Sequence, residues 1–377
     1  MESPAPAPAD SIHKPEHYTT TTTTTVNPKD SIKSTWRFDN RKNWTIHHWI
    51  LDRLNAHHWD PKLPIPVHEK TDPVPYMSQL SMHAWILLHA AIPLVVQQAY
   101  VSGTGTGMPA PVTILLYTVA FIAIVLRELE QLRRLGHRYG FLDGDKHDRD
   151  GIPDAGVRTV LLAGPKTGGG RMAMAVLLTY NPSASPQAAL FSSSSWAWWA
   201  WLPLQIGLYG IVLDFWFYWY HRAMHDIGPL WHFHRRHHLT KHPVPTLAPY
   251  ADEVQEVFDM VGIPFLTWLT FRAVGIPLDF YSWWICHEYI AFTEFGGHSG
   301  IRVHVQAPST LSWLLRYLDL DLVVEDHDLH HRFGWRKSFN YGKQTRVWDR
   351  LFGTARPRIE MTDANIDWHQ PVHVSVF

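Results

Sequence analysis

Eight histidines fall in three short clusters, His221-Arg-Ala-Met-His225, His234-Arg-Arg-His237-His238 and His327-Asp-Leu-His330-His331. Residues three and four apart are neighbours on a helix surface, so each cluster can aim two or three imidazole nitrogens at one point. No cysteine lies among them, and a nitrogen-only donor set suits iron, zinc or copper but not calcium or magnesium. The chain has 26 histidines, and pairs such as His47-His48 and His57-His58 need no explanation beyond that composition. The same short pattern three times, twice as His-x-x-His-His, does need one. The sequence therefore predicts bound metal in preference to a purely structural histidine network.

Other side chains extend the set. Asp214 lies seven residues before His221, two helical turns earlier and roughly 20° away around the axis, where it is expected to accept the ring N–H of a ligating histidine; pairing with Arg222 is the alternative. His298, in Gly296-Gly-His-Ser-Gly300, is expected as a further ligand. His287 would share a face with Glu294 and His298 if the helix ran unbroken through the glycines. His232, His242 and His304 are weaker candidates, and the lone cysteine, Cys286, reads as a small buried residue.

The elements that must carry these residues are apolar. Between Asp72 and Arg127 there is no Asp, Glu, Lys or Arg, and Gly103-Thr-Gly-Thr-Gly107 divides the stretch into segments around Met77–Val101 and Pro111–Leu126. Each approaches the ~20 residues that cross a bilayer as a helix, so together they predict a transmembrane hairpin. Arg127, Arg133, Arg134 and Arg138 follow it, which puts both flanks in the cytosol. A second charge-free stretch, Met172–Leu213, leads into a span over Trp196–Tyr220 with tryptophans at its start. Arg222, Arg235, Arg236 and Lys241 should also be cytosolic, so an even number of crossings must separate them from Arg138. The expected architecture is all-α and multi-pass: about four transmembrane helices in two hairpins, under a cytosolic helical cap holding a dimetal site. Val254–Phe271 and Pro277–Ile290 read as a hairpin in or dipping into the membrane surface.

Four regions follow. Residues 1–50, with Pro-Ala-Pro-Ala-Pro at 4–8 and a threonine run over Thr19–Thr25, read as a disordered low-complexity segment without a secretory signal. Residues 51–194 hold the first hairpin and a cytosolic linker over Gly140–Arg171. Residues 195–356 carry the chemistry, and 357–377 form a tail. The 33 basic and 34 acidic side chains leave no electrostatic footprint for nucleic acid. A single cysteine rules out an intramolecular disulfide framework.

Taken together, Asp214, Tyr218-Trp-Tyr-His221-Arg-Ala-Met-His225, His234-Arg-Arg-His237-His238, His298-Ser-Gly300 and His327-Asp-Leu-His330-His331 resemble the membrane-bound fatty acid hydroxylase and sterol desaturase superfamily. Asn340-Tyr-Gly342 and Trp348-Asp-Arg-Leu-Phe-Gly-Thr354 resemble the stretch after its last cluster, so the likeness covers about residues 195–356. It implies a helical membrane enzyme of the endoplasmic reticulum, its active site facing the cytosol, that holds two iron ions and activates O2. Electrons from NAD(P)H would arrive through a separate b5-type cytochrome and reductase.

On this reading the substrate is a fatty-acyl or similar lipid chain hydroxylated at a C–H bond, in lipid or specialised-metabolite biosynthesis. The alternatives are a sterol desaturase or sterol methyl oxidase and, from another class, a non-catalytic zinc-binding membrane protein. Trp283, Trp284, Phe292 and Phe295 either line a substrate channel or pack the core. Many relatives carry a His-Pro-x-Glu element where this chain reads Tyr250-Ala-Asp252-Glu-Val-Gln-Glu256, and Asp252 or Glu253 either substitutes for it or is solvated.

Overall fold

The computed structural model describes residues 31–192 and 195–376. The threonine run and proline repeat lie outside the described residues. Residues 31–50 are structured where disorder was expected. Asp154 accepts hydrogen bonds from the backbone N–H groups of Thr35 and Trp36, and the indole of Trp36 donates to the Ile152 carbonyl at 3.0 Å. A buried tryptophan offsets the entropy of ordering that low-complexity composition cannot.

After a short helix α1 (Ile46–Arg53) and strand β1 (Val74–Met77) come two long helices, α2 (Gln79–Thr104) and α3 (Ala110–Tyr139). Ser78 caps α2 by accepting from Ser81 N–H, and Gly105 ends it with φ +67°, a conformation that favours glycine. Helix α4 (Val157–Thr179), short α5 (Pro186–Phe191) and α6 (Trp196–Asp226) follow. Helices α2, α3 and α6 are long and apolar enough to cross a membrane. The fourth span, expected near Met172–Tyr180, is the end of α4, which reaches back to Val157. Before its last eight residues α4 carries Arg158, Lys166 and Arg171, which lower its hydropathy.

Hydrogen bonds nevertheless put the turn after α4 beside the turn between α2 and α3. Tyr180 donates to the Met108 carbonyl at 2.8 Å, and Gln187 N–H donates to Gln98 at 3.0 Å. So α4 runs the length of the bundle, and about half of the stretch expected to be a cytosolic linker, residues 157–171, is helix. The remainder is built into the core: Arg149 donates to Asp328 at 2.5 Å and to the Leu142 carbonyl at 2.7 Å.

At the opposite end of the bundle stand α7 (Gly228–His234) and α8 (Glu253–Val257), while α9 (Ile263–Ala273) packs along α6 and α10 (Phe280–Gly297) runs back through the bundle from the end near Trp198 and Ala184. A π-helical turn, Phe258–Gly262, joins α8 to α9. Helix α10 is mostly apolar and buried from Phe280 through Thr293, as a central helix must be. Trp283 and Trp284 are fully buried there and donate to Tyr209 and to the Ala90 carbonyl, which makes them core. Short α11 (Ser312–Tyr317), α12 (Val324–Phe333), α13 (Val347–Leu351) and strand β2 (Ile366–Val372) complete the chain. The fold is mostly helical; β2 pairs parallel with β1, Val74 opposite Ile366 and Met77 opposite Val372. The segment expected as a tail thus closes the fold, and Glu325 accepts backbone N–H bonds from Ile359, Glu360 and Met361.

Candidate metal centre

All nine predicted histidines meet at the end of the bundle where α6 and α10 terminate. His221 and His225 lie on the last turns of α6, His234 ends α7, and His237 and His238 begin a 3-10 turn. His298 follows α10, and His327, His330 and His331 project from α12. The second cluster is therefore not one helix, and the clusters do not each serve one point. Two groups form, His221/His225/His234/His238/His330 and His237/His298/His327/His331, each with ligand atoms within 4.8 Å of one another.

Helix geometry explains the sorting. Residues four apart share a face, and the pairs His221/His225 and His327/His331 each fall in one group. Adjacent residues point about 100° apart. The doublets His237-His238 and His330-His331 accordingly straddle the two groups, one ring to each.

Backbone carbonyls fix the rings. The Nδ1–H of His221 donates to Tyr341 at 2.8 Å, that of His225 to Trp335 at 2.8 Å and that of His330 to Phe339 at 2.6 Å. His298 and His331 donate likewise to the carbonyls of Glu294 and Thr240, at 2.8 and 3.1 Å, and His234 donates to Gln255 Oε1 at 3.0 Å. With the proton on Nδ1, each Nε2 presents a lone pair. Those lone pairs converge: His221 and His234 approach Nε2 to Nε2 at 2.9 Å with no proton left to place between them. The same atoms of His330 and His238 lie 3.0 Å apart, as do those of His298 and His327. At His221 and His234 two acceptors at this distance repel unless a cation lies between them, and the convergence of nine buried imidazoles into two groups fits two metal ions. Burial, and then neighbouring imidazoles, hold His237, His238, His327, His330 and His331 well below the ordinary 6.5, which keeps them neutral and able to ligate.

Asp214 does not face an imidazole. Its carboxyl accepts from the backbone N–H groups of Lys343, Gln344 and Thr345, at 3.0, 3.1 and 2.6 Å, and from the Thr345 hydroxyl at 3.0 Å. Asp349 accepts from Tyr341 and Gly342 N–H, both at 2.8 Å. These two buried carboxyls clamp residues 341–345, and the Tyr341 carbonyl is the one that holds His221. Lys343 in turn pairs with Glu294 at 2.9 Å. Sequence reading missed this clamp, although its donors lie in and just after the quoted Asn340-Tyr-Gly342 motif.

Two other expectations are corrected. Asp252 caps α8 through Val254 N–H, and exposed Glu253 pairs with Lys166; the residue of that element that reaches the site is Gln255. His287 is fully buried, stacked on Trp283 at 5.3 Å, and outside both groups. His304 and His232 are outside as well. His242 joins Asp143 and His147 in a third set, but Asp143 is already paired with Lys70 at 2.9 Å and Arg332 at 3.3 Å.

Comparison with known proteins gives the same region a family. A model of the fatty acid hydroxylase family matches residues 206–354. The fatty acid hydroxylase vlmA of Lecanicillium sp is 44% identical over 324 residues, 84% of this chain and 88% of that protein. The chain belongs to the fatty acid hydroxylase and sterol desaturase superfamily. More distant members of this superfamily include the alkylglycerol monooxygenase of Xenopus tropicalis, 27% identical over 172 residues, 44% of this chain and 32% of that protein. The methylsterol monooxygenase erg25B of Aspergillus fumigatus is 30% identical over 155 residues, 40% of this chain and 47% of that protein. The chain thus spans about a third and about half of those two relatives. No solved structure matches the chain. The vlmA alignment is longer than residues 195–356, so the likeness extends beyond the catalytic segment to which sequence motifs confined it.

Proposed function

We propose that this superfamily member is a membrane-bound, O2-dependent di-iron monooxygenase that hydroxylates a C–H bond of a fatty-acyl or similar lipid chain. The observation that carries the proposal is the convergence of neutral imidazole lone pairs into two adjacent groups of five and four nitrogens. His221, His225, His234, His238 and His330 would hold one ion; His237, His298, His327 and His331 would hold the other. Two bound irons would supply the dioxygen activation that attack on an inert C–H bond requires.

The chain's own work is positioning. Main-chain carbonyls orient the rings, the Asp214–Asp349 clamp fixes the carbonyl behind His221, and burial excludes water from both groups. The extended likeness to a fatty acid hydroxylase, set against a partial one to a methylsterol enzyme, favours an acyl chain over a sterol. Helices α2, α3 and α6, with α4 as a fourth leg, would place the site at the cytosolic face of the endoplasmic reticulum, where a lipid enters from the bilayer. The catalytic unit is residues 195–356, supported by 51–194. A separate b5-type cytochrome and its reductase would supply electrons.

The test is expression in membranes followed by metal analysis and lipid profiling. About two irons per chain and a hydroxylated lipid are expected, and His237→Ala should abolish product and lower iron while the protein still inserts. Zinc in place of iron without oxygen consumption, or a fully active His237→Ala protein, refutes the proposal.

A further inference from the structure

Hydroxylation balances as R–H + O2 + 2 H⁺ + 2 e⁻ → R–OH + H2O, so an enzyme of the proposed kind must take both electrons from outside. Their entry point is legible on the surface. Between α12 and the 341–345 clamp, the loop Phe333-Gly-Trp-Arg-Lys-Ser338 turns outward. Trp335 is 41% exposed at its tip. Its ring meets that of buried Trp231 on α7, centroids 5.0 Å apart, and Trp231 meets His225 at 5.3 Å. The Trp335 carbonyl also accepts the Nδ1–H of His225 at 2.8 Å. One residue therefore reaches a site imidazole both through ring contacts, edge-on and tilted, and through a hydrogen bond while presenting an aromatic edge to water.

The rim of this entry is basic. Arg336 and Lys337 are exposed and have no ion pair among the described residues. Arg336 lies across Gly228, where a Cβ would come within 2.9 Å of its Nη2, so the loop is seated on the start of α7. Lys241 stands 4.9 Å over the Trp335 ring and donates to the Gly334 carbonyl at 2.6 Å. The carboxylate nearby on α6, Asp226, is paired with Arg222 at 3.2 Å. An exposed aromatic ringed by cations fits an acidic protein partner. A lipid surface would use the charge and the exposed Phe333, but it has no use for a ring path into the site.

We infer that the Phe333–Ser338 loop and α7 form the docking surface for an acidic one-electron carrier protein, with Trp335 and Trp231 conducting to His225. This rests on the oxygenase reading above. The test uses the full chain in neutral-lipid nanodiscs and the soluble haem domain of a b5-type cytochrome as probe. Arg336→Glu with Lys337→Glu should raise the Kd of the probe by about tenfold at low salt and flatten its salt dependence, because rim charges set both. Product formed with hydrogen peroxide, which needs no donor, should be retained in that variant. Trp335→Leu keeps the carbonyl and the charges, so iron content should hold while reoxidation of pre-reduced probe at saturating protein, followed by absorbance, slows by about tenfold or more.

Wild-type affinity in the charge variant, or wild-type reoxidation in Trp335→Leu, overturns the inference. So does a charge variant that loses only its binding to anionic vesicles, which would make the loop a membrane contact. A wild-type protein that gives no product even with peroxide overturns the oxygenase reading itself, which separates the two failures.

Discussion

Replacing Asp214 with alanine tests whether this carboxyl is a clamp on the chain or a tuner of an imidazole. In the structure it is fully buried and accepts three backbone N–H bonds and one hydroxyl bond from residues 343–345. Alanine leaves three buried N–H groups unpaired at about 1–3 kcal/mol each, a gross loss of roughly 3–9 kcal/mol. Relaxation of the turn brings that toward the lower end, about 3 kcal/mol, which at about 2.1 cal/mol/K per residue lowers the midpoint of thermal unfolding by roughly 4 °C. Residues 341–345 would move with it, and the carbonyl that holds His221 would be displaced. Thermal unfolding in detergent, with metal content measured on the same samples, should show a large destabilisation together with loss of metal from the His221 group. Thr345→Val, which removes only the hydroxyl bond, should cost about 1 kcal/mol and leave metal in place. An Asp214→Ala protein as stable as wild type but poor in metal would refute the clamp and restore the direct imidazole contact that sequence spacing suggested.

Lys343→Met removes the partner of buried Glu294, whose side chain is 13% exposed, and should cost about 3–5 kcal/mol by thermal unfolding; a neutral result would show that Glu294 finds another partner. Gly342→Ala puts a methyl 2.4 Å from the Thr345 carbonyl and should destabilise by about 1–3 kcal/mol, whereas Gly210→Ala, meeting only Gln344 Cβ at 3.5 Å, should be neutral or slightly stabilising. Burial holds His234, His237, His238, His330 and His331 well below 6.5, so above that pH the folded and unfolded chains both hold them neutral. As pH falls through 6.5 the unfolded chain takes up protons first, and the metal-free protein should lose stability progressively; an unfolding midpoint unchanged between about pH 8 and pH 5 would contradict this.

The ligand candidates were legible because their spacing has one dominant cause. Histidines four apart on a helix, repeated through the chain, have little else to do, and the structure gathers all nine. Their division into two groups was also written in the doublets, since adjacent residues cannot face one point. What spacing could not show was the tertiary partner of each polar group. Asp214 lies on the right face of α6 for an imidazole, but the 343–345 turn reaches it first, and nothing local to residue 214 encodes a turn 129 residues away. Hydropathy found α2, α3 and α6 because they are apolar throughout. It lost most of α4, where Arg158, Lys166, Arg171 and four glycines look like linker until burial against α3 is known. The Trp36 anchor was hidden for the same reason: low-complexity composition before it says nothing about Asp154 waiting at the other end of the contact.

The carbonyls behind His221, His225, His298, His330 and His331 belong to the main chain, and no point substitution deletes a peptide group. As far as the ring geometry is concerned, side chains at positions such as Tyr341 and Phe339 are thereby free to drift so long as the backbone path holds. Such a scaffold separates inheritance of the ring geometry from inheritance of whatever surrounds it, and residues around the centre can be exchanged for a differently shaped lipid without re-aiming a single imidazole.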